Sequence, residues 1–143
     1  MKIKEGASLQ GLKLVMRPVL QIAERIWRNN GQELVVTSGT DSTHSAGSLH
    51  YYGYALDFRT RYFDPVGEVH KVFKELSDDL RKVNKDYCVV IHPTHIHVEY
   101  RGVLEEQKMT LLQLMLDNWE VVGLILTNIV ALFVKSPLEK KNG

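Results

Sequence analysis

Between Leu12 and Trp27 the apolar residues Val15, Met16, Val19, Leu20, Ala23, Ile26 and Trp27 recur at three-and-four spacing, the period of a helix with one buried face. Pro18 is acceptable there only near the helix start, where its missing N–H is an orphan in any case. Asn29-Asn30-Gly31 supplies the stop. ELVVTSG, Glu33 to Gly39, reads as a buried strand that opens into a Gly/Ser/Thr loop reaching Ser48. Loops of this kind often carry function on a rigid scaffold.

From Tyr54 to Thr60 the pattern alternates and predicts a strand; Asp64-Pro65 then caps a helix through Val83. DYCVVIH and HIHVEY follow as two strands parted by Pro93-Thr94, a hairpin. The order helix, strand, loop, strand, helix, strand, strand predicts an α+β domain, a mainly antiparallel sheet with helices packed on it. After Tyr100 the character changes. The predicted division is a domain over 1–104, a linker or amphipathic helix over 105–118, a hydrophobic helix over 119–135 and a basic tail over 136–143.

Composition narrows the function. A chain of 143 residues, 44% hydrophobic, holds one core without disulfide staples. Eighteen basic against seventeen acidic residues leave a net charge of +1, with no Lys/Arg run to neutralise phosphates, which disfavours a nucleic-acid partner. Cys88 is the only cysteine and reads as a small buried strand residue, so neither an internal disulfide nor a multi-thiolate metal site can form. The N-terminus lacks the continuous apolar core of a cleavable secretory signal.

Two stretches carry chemistry: SLHYYGYALDFR, Ser48 to Arg59, and THIHVEY, Thr94 to Tyr100. His50 and Asp57 would lie about 23 Å apart on one strand or about 10 Å apart on one helix, too far for one ion. A reversal at Tyr52-Gly53 instead sets them on neighbouring segments. His95 and His97 share one face of a strand. Three N, N and O ligands with one open position make a catalytic zinc site, in which the ion lowers the pKa of water and polarises a carbonyl.

The run from Ser48 to Asp57 resembles the SxHxxGxAxD signature of zinc D-Ala-D-Ala carboxypeptidases and phage L-Ala-D-Glu endolysins. His95-Ile96-His97 is similar to the second signature of the wider group that includes lysostaphin-type peptidases and the hedgehog signalling domain. The likeness covers roughly Leu9 to Glu99 and implies that fold, a bacterial or phage source, and peptidoglycan peptide as substrate. It implies that His50, Asp57 and His97 bind Zn2+, with His95 beside the water as base or transition-state donor. Two slots depart from the pattern: the acid expected three residues before the last ligand is Thr94, and the one expected six before is Ile91. Proton transfer then falls to His95 or His92, or the domain binds without cleaving. Glu99 reads as a base, a second partner of the ligand histidine, or a solvated edge residue.

The arginine usual just after the SG of TSG is also missing; Asp41 and His44 stand nearby. Arg59 or Arg61 can hold a substrate carboxylate in its place, or be an exposed charge at a strand end. Ser48, Tyr52, Arg59 and His92 are the candidate substrate-binding residues. His44 lines the cleft or faces water, His70 is a solvated helix residue, and some of Tyr51, Tyr52 and Tyr54 wall the site.

From Val121 to Val134 only Thr127 and Asn128 are strongly polar, and Trp119 extends the segment to a rise of about 24 Å against roughly 30 Å of hydrocarbon. Because the family-like domain is complete by about Tyr100, such a helix meets lipid, another copy of itself, or its own domain. Acidic Asp117 and Glu120 before it, and Lys135, Lys140 and Lys141 after it, predict membrane association with the zinc domain external. Three functions follow: a zinc peptidase of cell-wall peptides, a zinc-stabilised module that binds without cleaving, or a protein whose hydrophobic tail is the active part.

Overall fold

The computed structural model describes residues 1–41, 43–63 and 66–134. Among these residues the chain forms an α+β fold: strands β1 (Lys2–Ile3), β2 (Val35–Ser38), β3 (Ala55–Arg59), β4 (Tyr87–Ile91) and β5 (His95–Tyr100), with helices α1 (Arg17–Asn29), α2 (Val66–Val83), α3 (Gly102–Asp117) and α4 (Trp119–Val134). The sheet order is β1-β2-β3-β5-β4. Every pairing is antiparallel except β1 with β2, so the sheet is mixed and mainly antiparallel.

Helix α1 forms where the periodicity places it, but its first turn is tighter than expected. Leu14–Met16 is a 3-10 turn, and the α-helix begins at Arg17 with Pro18 in its first turn. Asn30 ends it, its side-chain amide donating to the Ile26 carbonyl at 2.8 Å. Val19, Ala23, Ile26 and Trp27 of α1 and Val72, Leu76 and Leu80 of α2 are buried against Leu56 and Phe58 of β3 and Ile96 and Val98 of β5. That burial, worth about 1.5–3 kcal/mol for each large side chain, drives the layering of helices on one sheet face. Trp27 is its centre, edge-on to Phe58 and Phe63 at 5.8 and 5.7 Å.

The strands alternate as the sequence predicts. In β5 the even positions Ile96 and Val98 are fully buried, whereas His95, His97 and Glu99 keep some access on the opposite face. Cys88 departs from its predicted burial: it is half-buried, because it pairs with Glu99 on the face that the helices do not cover.

The loop before β3 contains a 3-10 turn, Leu49–Tyr52, capped by Ser48 and closed by Gly53 in the left-handed region at φ 76°. A Cβ at Gly53 would collide with the Gly11 carbonyl. The Gly53 carbonyl meanwhile accepts from the Lys13 N–H at 3.0 Å, so the N-terminal arm and this turn lock together.

The chain divides into two compact units, Met1–Val103 and Leu104–Gly143, close to the boundary predicted at residue 104. Of the predicted linker or amphipathic helix over 105–118, residues 105–117 are helix within α3 and Asn118 is a turn residue. Among the described residues no single helix is long and apolar enough to cross a membrane. Lys108–Asp117 and Trp119–Val130, bent by 78°, reach that length and composition only as a pair, so one spanning helix over 119–135 is not supported. The Asp64-Pro65 cap and the basic tail over 136–143 lie outside the described residues.

Gly53→Ala is expected to lower stability by about 2 kcal/mol or more, because it adds left-handed strain to a backbone collision. Urea unfolding followed by circular dichroism measures it.

Candidate metal centre

The β3–β5 register sets Asp57 directly opposite His97, and Arg59 opposite His95. Their side chains therefore stand on the sheet face away from the helices. The Leu49–Tyr52 turn delivers His50 to the same point, its start fixed by the Ser48 hydroxyl accepting from the His50 N–H at 3.4 Å. Three donor atoms converge there: His97 Nδ1 is 2.8 Å from Asp57 Oδ1, His50 Nε2 is 3.2 Å from His97 Nδ1, and His50 Nε2 is 3.4 Å from Asp57 Oδ1. Donors held about 2.1 Å from a tetrahedral ion lie about 3.4 Å apart, so this triangle is only slightly smaller than zinc needs.

The remaining ring nitrogens decide which way the lone pairs face. His50 Nδ1 lies 2.6 Å from the Gly39 carbonyl, which can only accept, so Nδ1 carries the proton and Nε2 presents its lone pair to the centre. His97 Nε2 lies 3.2 Å from Glu99 Oε2, which leaves His97 Nδ1 as its inward donor. A ligand histidine whose outer N–H is held by a carbonyl or carboxylate is the arrangement metal sites use. Glu99 is anchored in turn by the Arg101 guanidinium at 2.6 Å. The residues thus fit a divalent cation of zinc's preferences through His50, Asp57 and His97.

Electrostatics describe how that triangle balances its charge. Burial raises the Asp57 carboxyl, but hydrogen bonds from His50 and His97 outweigh it and hold the group well below the usual carboxylate range. Burial disfavours the His97 cation, yet Asp57 and Glu99 on either side raise its pKa to about 9. The bond to His97, with Arg101 behind, lowers Glu99 to about 2. His95 goes the other way: burial lowers its pKa, only partly offset by Asp57, which favours the uncharged ring.

Exposure grades across the cluster, with side chains 3% exposed at His50, 13% at Asp57, 17% at His97 and 30% at His95. His95 Nε2 stands 3.9 Å from Asp57 Oδ1, and His95 Nδ1 lies 3.2 Å from the Thr94 hydroxyl. His92 stacks on the His95 ring at 4.6 Å but is itself exposed. An open cleft of about 360 Å³ leads to Asp57 and His95 and is lined further by Thr94, Lys4, Arg59 and Arg61.

Several residues singled out in the sequence turn out to support the site. Ser48 is the turn cap. His44 lies flat against the His50 ring at 4.1 Å and 2°, with its Nε2 2.8 Å from the Asp41 carbonyl. The Tyr51 hydroxyl lies 2.7 Å from both backbone groups of His44 and Tyr54 stacks on Tyr100, whereas Tyr52 is 60% exposed. Glu99 is the outer partner of His97, not a free base. Sequence reasoning missed Lys4, which follows the short β1, and the bracing role of Asp41. The Asp41 carboxylate accepts from the Gly39 and Ser8 N–H groups, both at 2.8 Å, and so clamps the residue whose carbonyl orients His50. Gly39 has no room for a Cβ beside the Ser8 carbonyl.

Comparison with protein-family models, with curated proteins and with solved structures finds no match.

His50→Ala or His97→Ala is expected to abolish stoichiometric zinc by elemental analysis, whereas Glu99→Gln weakens it about 10–100-fold. Binding must displace the His97 proton, held up to about pH 9. Apparent affinity should therefore rise about tenfold per pH unit between pH 6 and 8. A competing chromophoric chelator measures that slope, and a flat profile would show that His97 binds no proton there.

Proposed function

We propose that this protein is a zinc-dependent peptidase acting on peptidoglycan peptides, of the D-Ala-D-Ala carboxypeptidase or endolysin type. The observation that carries the reading is the convergence of His50 Nε2, Asp57 Oδ1 and His97 Nδ1 within 3.4 Å, with the His95 ring beside them. The resemblance of SLHYYGYALD and HIH to the signatures of that family supplies the substrate class.

When bound, zinc supplies a lowered water pKa and a polarised carbonyl. His50, Asp57 and His97 hold the ion. His95 takes the proton from the attacking water at Nε2: burial favours its uncharged ring, and it stands 3.9 Å from Asp57, open to the cleft. Thr94, in the slot where the family carries an acid, supports that role when its hydroxyl accepts from His95 Nδ1–H, the tautomer that leaves the Nε2 lone pair free. Arg59, Arg61 and Lys4 make the far wall of the cleft cationic, which suits a peptide that carries a carboxylate. His92, stacked on His95, and Tyr52, exposed on the turn that carries His50, are available for contact with the remainder of the peptide.

One observation favours a second reading, a zinc-stabilised module that binds muropeptides without cleaving them. Thr94 and Ile91 occupy the slots of the family's acid, and the carboxylate of Glu99 is committed to His97 and Arg101.

Incubation with a D-Ala-terminated muropeptide, followed by mass spectrometry with and without chelator, separates the two. Chelator-sensitive release of a D-amino acid or a shortened peptide is the expected result. Binding with no product would establish the module instead. His95→Ala should keep full zinc occupancy while turnover falls about 100-fold or more.

A further inference from the structure

Helix α4 is apolar over most of its circumference, with Glu120, Thr127 and Asn128 as its strongly polar residues. Trp119, Val121, Leu124, Leu126 and Ile129 are each between 44% and 69% exposed, and at about 100° per residue they spread over roughly 220° of the helix, the remaining arc holding Glu120 and Thr127. A packed protein neighbour covers a stripe about 100° wide and leaves the other faces wet. Along α3 Met109, Leu111, Leu112, Leu114, Met115 and Leu116 are each between 48% and 65% exposed, with Thr110, Gln113 and Asp117 in one polar stripe and Lys108 on the opposite side.

The polar side chains of the pair turn inward on their own helices. Thr127 Oγ1 donates to the Gly123 carbonyl at 2.7 Å, Asn128 Nδ2 to that of Leu124 at 2.9 Å, and Asn118 Nδ2 to that of Leu114 at 2.8 Å. Gln113 Nε2 likewise donates to Asp117 Oδ1 at 2.8 Å, one turn away. In water such groups have solvent as a partner; in hydrocarbon each must find one on the nearest backbone or side chain.

We propose that α3 and α4 together insert into a lipid bilayer, with α3 along the interface and α4 among the acyl chains. The 78° bend between them falls where Asp117, Asn118 and Glu120 cluster, which keeps those polar groups at headgroup level. Trp119 sits at the same junction, a depth that suits an amphipathic indole. Neither helix has to span the membrane alone. The proposal stands independently of the metal site and its chemistry.

The test uses the full chain, transferred from detergent to phosphatidylcholine vesicles and floated on a density gradient. The protein should float with the lipid, and brominated acyl chains should quench Trp119 but not Trp27, which is fully buried in the core. Trp119→Phe should remove the quenched signal. Leu124→Asp should cut partitioning by on the order of 100-fold, with unchanged thermal unfolding of the Met1–Val103 unit reporting that it still folds. A chain that stays out of the vesicles overturns the proposal: as an oligomer it would show that the apolar faces cover one another, and as a monomer that they face water.

Discussion

Antiparallel pairing of β3 with β5 in a single register is the constraint on which the site depends. It sets Asp57 opposite His97 and Phe58 opposite Ile96, so one pairing decides what enters the core and what enters the site. Because side chains alternate with a period of two, a one-residue slip of β3 would turn Leu56 and Phe58 to solvent and bury the Asp57 carboxylate against the helices. The apolar contacts with α1 and α2 therefore hold the polar cluster in place without touching it. Burial stabilises the register, and the register aligns the donors.

The register alone does not orient the lone pairs. That depends on a second layer of hydrogen bonds that runs outward from each ligand. His50 is turned by the Gly39 carbonyl, and Gly39 is held by Asp41, which also grips the N-terminal arm at Ser8. His97 is turned by Glu99, and Glu99 is held by Arg101. The cluster also separates two jobs by depth. His50, almost wholly buried, is a fixed donor, whereas His95 keeps enough contact with solvent to exchange a proton.

Where sequence reasoning succeeded, a local period carried the answer. The three-and-four spacing of Val19, Ala23, Ile26 and Trp27, and the alternation of HIHVEY, name their buried faces directly. Where it fell short, the cause was distance along the chain. Lys2–Ile3 is too short to show any period and becomes a strand only because Val35 and Val36 lie beside it. Cys88 looked buried because its neighbours are apolar, but its face of β4 carries no helix. Asp41 drew notice only as a residue near the missing arginine; its contacts with the Ser8 and Gly39 backbones, distant or turned back along the chain, make it a brace.

The sequence by itself determined the α+β class, the hairpin of β4 and β5, and the residue types able to take a metal, since each follows from local periodicity or side-chain chemistry. Tertiary structure decided the remainder: that His50 and Asp57 meet His97 within 3.4 Å, that each imidazole faces inward by a particular nitrogen, and that Glu99 braces His97 from outside. These are properties of atoms brought together from residues 39, 50, 57 and 97, and no pattern confined to neighbours in the chain encodes an angle between side chains so far apart. Gly53 belongs to both accounts. Its place in SLHYYGYALD marks the reversal, but only the packed Gly11 carbonyl shows why no side chain fits there.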